Sequence, residues 1–320
     1  MELQNHAGVP AILWRTAIDE HRIAAAVVAR ITYRIEKGWL RLADEQAWGV
    51  DKAEWEGPVG PMPADDCFIR GGIDLMVFGS ARAPGGRPRP RIEVRVGLGS
   101  FTAGVDVYGE RVWSAGFGRE PTPTPPVPFV ERELSLTNAY GGKQEWDGLE
   151  VPFVSNPTGK GFYSDAKRAI EQPLPNLEDP KRPIQKWKDQ PDPVGTGLCP
   201  RAFGPRLQRS IEHDARGRIT RIKPLFFNDA FPDFVAPGVA PGDRFVAAGV
   251  HPDGPIEFAV PAPPLATRIV IGSADVVRPL AIDQIGLLPD QGQVFITYRF
   301  PFRYAVIRMQ PRACELRWAD

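Results

Sequence analysis

The sequence predicts a mainly β protein: β-sandwich or barrel-like halves, a long ordered loop-rich insertion between them, and little helix. Three observations carry that expectation. The chain has 32 glycines and 35 prolines, 67 of 320 residues. That is about a fifth, against a usual share of roughly an eighth, and it favours short strands and many turns over a helical bundle. Apolar residues alternate with polar ones in both the first and the last third of the chain, the period of a half-buried strand. The middle, 121–225, lacks that period but is studded with aromatic residues that anchor loops.

Taken in chain order, 23–42 reads as a hairpin. Ala26, Val28, Ile31, Tyr33 and Ile35 form one arm, Lys37-Gly38 the turn, and Trp39, Leu40 and Leu42 the other arm. Asp74–Ser80 is a short apolar run between Gly71-Gly72 and Pro84-Gly85-Gly86, which predicts a buried strand. Arg91–Val96 alternates strictly, with arginines and glutamate on one face and Ile92, Val94 and Val96 on the other. Phe101–Trp113 continues as a further strand or hairpin. The run PTPTPPVP (121–128) holds five prolines in eight residues and cannot donate to a ladder, so it reads as an extended connector. Through 140–206 only Asp165–Glu171 has the composition of a helix. Strand signals return with Phe245–Val250 and Ile256–Val260 around an Asp253-Gly254 turn. Ile269–Ile271, Ile282–Leu287, Gln293–Phe300 and Tyr304–Met309 complete the series. The predicted organisation is a β-rich half at 1–120, a proline- and glycine-rich loop region at 121–225 and a second β-rich half at 226–320, packed as one unit.

Composition excludes several function classes. Lys and Arg total 39 and Asp and Glu total 39, so the formal charge is zero. Nucleic acid and anionic membranes require a basic footprint, and none is expected here. The three cysteines are widely spaced, without a C-x-x-C pair, which argues against a zinc ribbon or a disulfide framework. The opening residues carry neither a basic nor an apolar targeting region, and no apolar run reaches membrane-spanning length. A soluble, cytoplasmic protein is the expectation.

Motifs for chemistry are sparse. There is no phosphate-cradling glycine motif opening a helix, no G-x-S-x-G elbow, and no metal-ligand spacing among the four histidines. The sequence therefore names no catalytic residue, no metal and no cofactor. Carboxylates cluster at Asp65-Asp66 and Glu178-Asp179. Paired carboxylates can hydrolyse glycosides, although such pairs more often cap turns. Six arginines between Arg201 and Arg221 are interleaved with Glu212 and Asp214. They read as a solvated face, with an acidic partner as the alternative.

A series of loop motifs adds a resemblance. In order they are LADEQ (42–46), GGIDLMVFGSARAPGG (71–86), VYGERVW (107–113), PVPF (126–129), NAYGGK (138–143), NPTGKGF (156–162), LPNLEDP (174–180), FGPR (203–206), FFNDAFPD (226–233) and PGDRFVAAGVHPDGPIEFAVP (241–261). The chain resembles, over roughly 1–300, an uncharacterised-domain family found in bacterial type VI secretion gene clusters. It departs from that family around Phe203 and in the arginine-rich stretch that follows. Members of the family often sit beside genes for PAAR spike tips, VgrG spikes and toxic effectors. The resemblance implies a non-enzymatic adaptor or chaperone that holds an effector or a PAAR-type protein in the cytoplasm and helps load it on the spike. It brings no active site with it. Backbone demands explain the shared Gly141, Gly142, Asn156, Gly159, Gly161 and Asn176, for which structural roles are expected.

The adaptor reading predicts a surface of aromatic and arginine side chains, the types favoured at hot spots. Trp146, Trp187, Phe203 and Arg206 are the candidates. The alternative is a β-sandwich hydrolase of carbohydrate or peptidoglycan using Asp66, Glu178 and Asp179, whose carboxyls would then converge about 5–10 Å apart. A third reading, a self-assembling part of a secretion machine, would need an exposed, unprotected edge strand.

Overall fold

In a computed structural model, which describes residues 1–115 and 120–319, the chain is mainly β. The only α-helices among the described residues are Ala166–Ala169 and Gly204–Ser210. The largest sheet has seven strands. Its order is Ala11–Ala17, Arg22–Glu36, Gln293–Ala305, Ala281–Leu288, Ile73–Val77 and Val235–Ala236, with Trp39–Leu42 also paired to Arg22–Glu36. A five-stranded sheet runs Leu177–Glu178, Phe101–Tyr108, Arg91–Leu98, Arg244–Ala248 and Ile256–Ala259. A four-stranded sheet runs Leu3–Asn5, Arg312–Trp318, Leu265–Ile271 and Ala274–Pro279. Side chains of all three sheets meet in one apolar core.

Local chemistry accounts for the elements. Arg22–Glu36 turns into Trp39–Leu42 at Lys37 and Gly38, both left-handed with φ 51° and 81°, as a two-residue hairpin requires. Arg91–Leu98 buries Ile92, Val94, Val96 and Leu98 and turns its arginines and Glu93 outward. Ile73–Val77 is buried at all five positions, and both its edges are paired, to Ala281–Leu288 and to Val235–Ala236. It pairs parallel with Ala281–Leu288, Gln284 opposite Asp74. The segments 1–120 and 226–320 thus share their two largest sheets.

Two strand readings shift. Tyr304–Met309 is not a run of its own: the long strand ends at Ala305, and Val306, Ile307 and Met309 are exposed. The last strand is Arg312–Trp318, which buries Cys314 and Leu316 between charged neighbours. Its short polar–apolar alternation is outweighed in the sequence by two arginines and a glutamate.

The insertion is ordered around a second, smaller core. Trp113, Tyr140, Ala169, Leu174 and Ile184 are buried together, with Phe153, Phe162, Tyr163 and Trp187 packed on them. Asp165 caps the short helix through the Lys167 amide at 2.7 Å. The proline connector lies against the end of Phe101–Tyr108. A Cβ on Gly109 would stand 1.8 Å from the Val127 carbonyl oxygen, so only glycine fits there.

All three cysteines are buried free thiols. Burial pushes the Cys199 thiol up to about 12 and raises Cys67 and Cys314. The thiolate is the reactive form, so at pH 8 in the folded protein all three are expected to resist Ellman's reagent. In 8 M urea three thiols per chain should titrate within minutes. Rapid reaction of one thiol in the native state would show that its site opens.

Candidate functional site: a loop-built groove and a projecting hairpin

Charged side chains concentrate first in the interior. Arg30, Arg70 and Arg299 are buried with Asp65, Asp74, Asp229 and Asp283 where the loops 63–72 and 228–230 cross the seven-stranded sheet. Arg70 contacts Asp229 at 2.7 Å, Asp283 at 3.0 Å and Asp74 at 3.4 Å. Arg30 contacts Asp65 at 3.0 Å and the Gln284 side chain at 3.1 Å. Asp74 is further bonded by the Asn228 side chain and by the Asp229 amide, both at 2.9 Å. Burial pushes the Asp65 and Asp74 carboxyls up, against the pull of the arginines beside them. The network ties distant loops to the sheet, and Arg70, Asp283 and Arg299 also line a cavity of about 400 Å³, with the Arg299 Nη2 left without a partner.

The carboxylates named for hydrolysis do not converge. Asp66 pairs with Arg201 at 3.1 Å, in a different cavity from Asp179. Glu178 is buried against Arg111, and its other oxygen accepts from the Ile184 amide at 2.9 Å. Asp179 caps the Lys181 amide at 2.9 Å and pairs with Arg182 at 3.1 Å. Each carboxylate is thus engaged where it stands. Among the described residues no group of three His, Cys, Asp or Glu side chains is placed to hold a metal ion. No helix among them is long and apolar enough to cross a membrane.

The four residues named for a partner separate into two kinds. Phe203 and Arg206 are buried and cannot present themselves to a partner as the chain stands. Phe203 packs edge-on to Phe231, with ring centroids 5.3 Å apart. Arg206 donates to the carbonyls of Cys199 at 3.1 Å and Ala230 at 3.2 Å. Both hold the segment 199–210, which includes the helix Gly204–Ser210, against 229–234. Trp187 is half-buried on the second core. Trp146 alone is open, at 60 % exposure. The arginine-rich stretch is likewise divided: Arg206 is internal, while Arg201, Arg209 and Arg218 pair with Asp66, Asp233 and Asp214.

Trp146 sits at the tip of a hairpin formed by Lys143–Trp146 and Leu149–Pro152. Asp147 and Gly148, with φ 50° and 74°, make its turn. Trp146 and Leu149 are cross-strand neighbours, and Gln144 opposite Val151 follows on the same face. Leu149 is 70 % exposed and Val151 is also open. The other face carries the Lys143–Glu150 ion pair at 2.7 Å. Gln144 moors the hairpin by donating to the Phe162 carbonyl at 2.8 Å and accepting from the Ser164 amide at 2.5 Å. The tip is an apolar knob on a fixed stalk.

A groove of about 230 Å³ lies on the same loop region. One wall is the first half of Phe101–Tyr108 and the other is built by Phe203, Pro205 and Phe231–Phe234. Apolar lining exceeds polar, and its floor is fixed by the buried Phe203–Phe231 pair. This pairing of strand and loop wall is non-local, and no sequence pattern announces it.

The edge strand Ala274–Pro279 is exposed at all six positions. It carries Asp275, held by Arg268 at 2.7 Å, and ends on Arg278 and Pro279. Charges and proline on an edge discourage open-ended self-pairing.

The arrangement defines a class: a β-rich scaffold that displays loops, with its charges paired internally and its apolar features turned outward in the insertion. Within that class the chain belongs to the family described as an uncharacterized protein conserved in bacteria (DUF2169), whose profile matches residues 20–299. No curated protein and no solved structure matches the chain.

Proposed function

We propose that the chain is a non-enzymatic adaptor or chaperone that binds an effector or PAAR-type spike-tip protein of a type VI secretion system in the cytoplasm and helps load it on the spike. The observation that supports this best is the knob of Trp146 and Leu149, 60 % and 70 % exposed on a moored hairpin. Paired large apolar side chains at a projecting tip contribute nothing to the chain's own core, whereas a tryptophan desolvated in a partner's pocket supplies much of a binding energy. The motif resemblance to a secretion-cluster family directs the choice of partner.

Tagged protein drawn from its native cytoplasm should bring down a stoichiometric effector or PAAR-type protein, identified by mass spectrometry. Replacing Trp146 and Leu149 with alanine should weaken that complex by about 2–4 kcal/mol, roughly 30- to 1000-fold in Kd. Neither side chain belongs to a core cluster, so the melting temperature should not move. A partnerless protein, or an undiminished complex in the double variant, would overturn the reading.

A further inference from the structure

We propose that the groove beside Phe101–Tyr108 is a vacant strand position, which an extended, uncharged segment of a partner polypeptide fills by main-chain pairing. The inference rests on the reading of the chain as a protein-binding scaffold and specifies the form in which the partner is held.

The backbone geometry carries the argument. Phe101–Tyr108 pairs with Arg91–Leu98 along its whole length. Its other edge is met only towards its end, where Asp106 and Val107 pair with Glu178 and Leu177. The Tyr108 amide donates to the Asn176 carbonyl at 2.8 Å and so faces that outer edge. Backbone direction repeats every second residue along a strand, so Asp106, Gly104 and Thr102 turn their N–H and C=O groups the same way. Continuing the register of Asp106 with Glu178 would set Gly104 opposite Pro180. Proline has no N–H to give. The chain leaves the sheet at that point, turning through Asp179, whose carbonyl accepts from the Arg182 amide at 3.0 Å. The outward groups of Thr102 and Gly104 are left facing the groove, and both residues line it.

The lining fixes the chemistry of the occupant. Unmet N–H and C=O groups at a two-residue period match an extended main chain. Arg95, Arg182 and Arg209 each already meet a carboxylate: Asp106 at 2.8 Å, Asp179 at 3.1 Å and Asp233 at 2.8 Å. The remaining lining charges are one of each sign, Lys181 and Asp192. The charge complement of such a groove is an uncharged segment, with small or aliphatic side chains against the half-buried Val194, Pro205 and Pro232. The open stretch is short and recessed, which suits one added strand rather than an assembling edge.

The test is amide hydrogen exchange on the full chain, with an array of blocked, uncharged octapeptides alternating Val, Ile or Ala with Ser or Thr. In the free protein the Thr102 and Gly104 amides should exchange at least about 100-fold faster than those of Ala103 and Val105. Array binders should slow both amides. Methylating every second amide of a binder should abolish binding, while methylating the intervening ones should not. Thr102→Pro removes one outward N–H without touching the ladder to Arg91–Leu98. It should reduce binding at least tenfold, with Thr102→Ala near wild type and melting unchanged in both. The proposal is overturned if no peptide changes the exchange at Thr102 and Gly104. It is equally overturned if that protection rises with protein concentration alone, which would make a second copy of the chain the occupant. A co-purifying partner lost in the Trp146 variant but retained by Thr102→Pro would sink the strand position and leave the adaptor reading standing. Peptide pairing without any co-purifying partner would do the reverse.

Discussion

Replacing Arg70 with alanine is expected to prevent stable folding at pH 8 and to be markedly less damaging near pH 4.5. The Arg70 side chain is 1 % exposed and stands within 4 Å of four carboxylates: Asp229, Asp283, Asp74 and Asp65. With it the interior cluster holds three guanidinium groups against four carboxylates. Without it, two face four. Breaking a single buried ion pair costs about 3–5 kcal/mol, and one arginine here serves several pairs. The whole stability of a domain is about 5–15 kcal/mol, so the loss is comparable to the total.

The pH dependence follows from burial. The Asp65 and Asp74 carboxyls are already held above their ordinary value by burial, with the arginines pulling the other way. Removing Arg70 raises them further. A carboxyl raised in the folded state favours folding below its unfolded value, near 3.9, and that contribution is lost as pH rises through the folded value. The deficit of Arg70→Ala relative to wild type should therefore shrink as pH falls from 8 to 4.5. Arg70→Lys keeps the charge but lacks the planar fork that spans several carboxylates, and should fall between. Urea midpoints at the two pH values decide the matter. An alanine variant as stable as wild type at pH 8 would mean the cluster does not hold these loops.

The parts of this molecule legible in its sequence are the local ones. Lys37-Gly38 announces its hairpin because the turn itself demands left-handed backbone. Arg91–Leu98 announces its faces because alternation is a property of adjacent residues. The glycines and asparagines of the insertion point to structural duty for the same reason. The interior charge cluster is not legible, because its members meet only through sheet pairing. Asp74 lies 210 positions from Gln284, with which it shares a hydrogen bond, and opens a run that reads as plain apolar strand. Asp65 sits in the same dipeptide as Asp66, yet one is buried and the other pairs at the surface. Arg206 lies in an arginine-rich stretch and is its one internal member. Type and spacing say what a side chain can do; which side of the loop faces inward is decided by contacts far along the chain.

Asn156→Asp is expected to unfold the insertion while leaving the main sheets intact. Asn156 is 1 % exposed and opens the NPTGKGF motif. Its side-chain amide donates to the carbonyls of Leu136 at 2.8 Å and Tyr140 at 3.1 Å. Its side-chain oxygen accepts from the Thr158 hydroxyl at 3.1 Å. Its backbone carbonyl accepts from the Gly142 amide at 2.9 Å. Asparagine alone joins these strands, because the site asks for a donor to two carbonyls and an acceptor on one side chain. A carboxylate would turn an oxygen toward two carbonyl oxygens in a buried place, where the side-chain partners among the described residues are all neutral. That is an unpaired buried charge and costs several kcal/mol. Alanine leaves two carbonyls unmet and costs about 1–3 kcal/mol, so Asp should be worse than Ala, the opposite of their order in size relative to Asn. The second core around Trp113, Tyr140 and Leu174 is separate from the main one, so the damage should stay local. Limited proteolysis should cut Asn156→Asp between 140 and 190 while the fragments remain associated, and amide protection at Val94, Ile285 and Ile296 should persist. The knob at Trp146 depends on this mooring, so partner binding should fall with the insertion. Equal stability of the aspartate and alanine variants would refute the assignment of that amide.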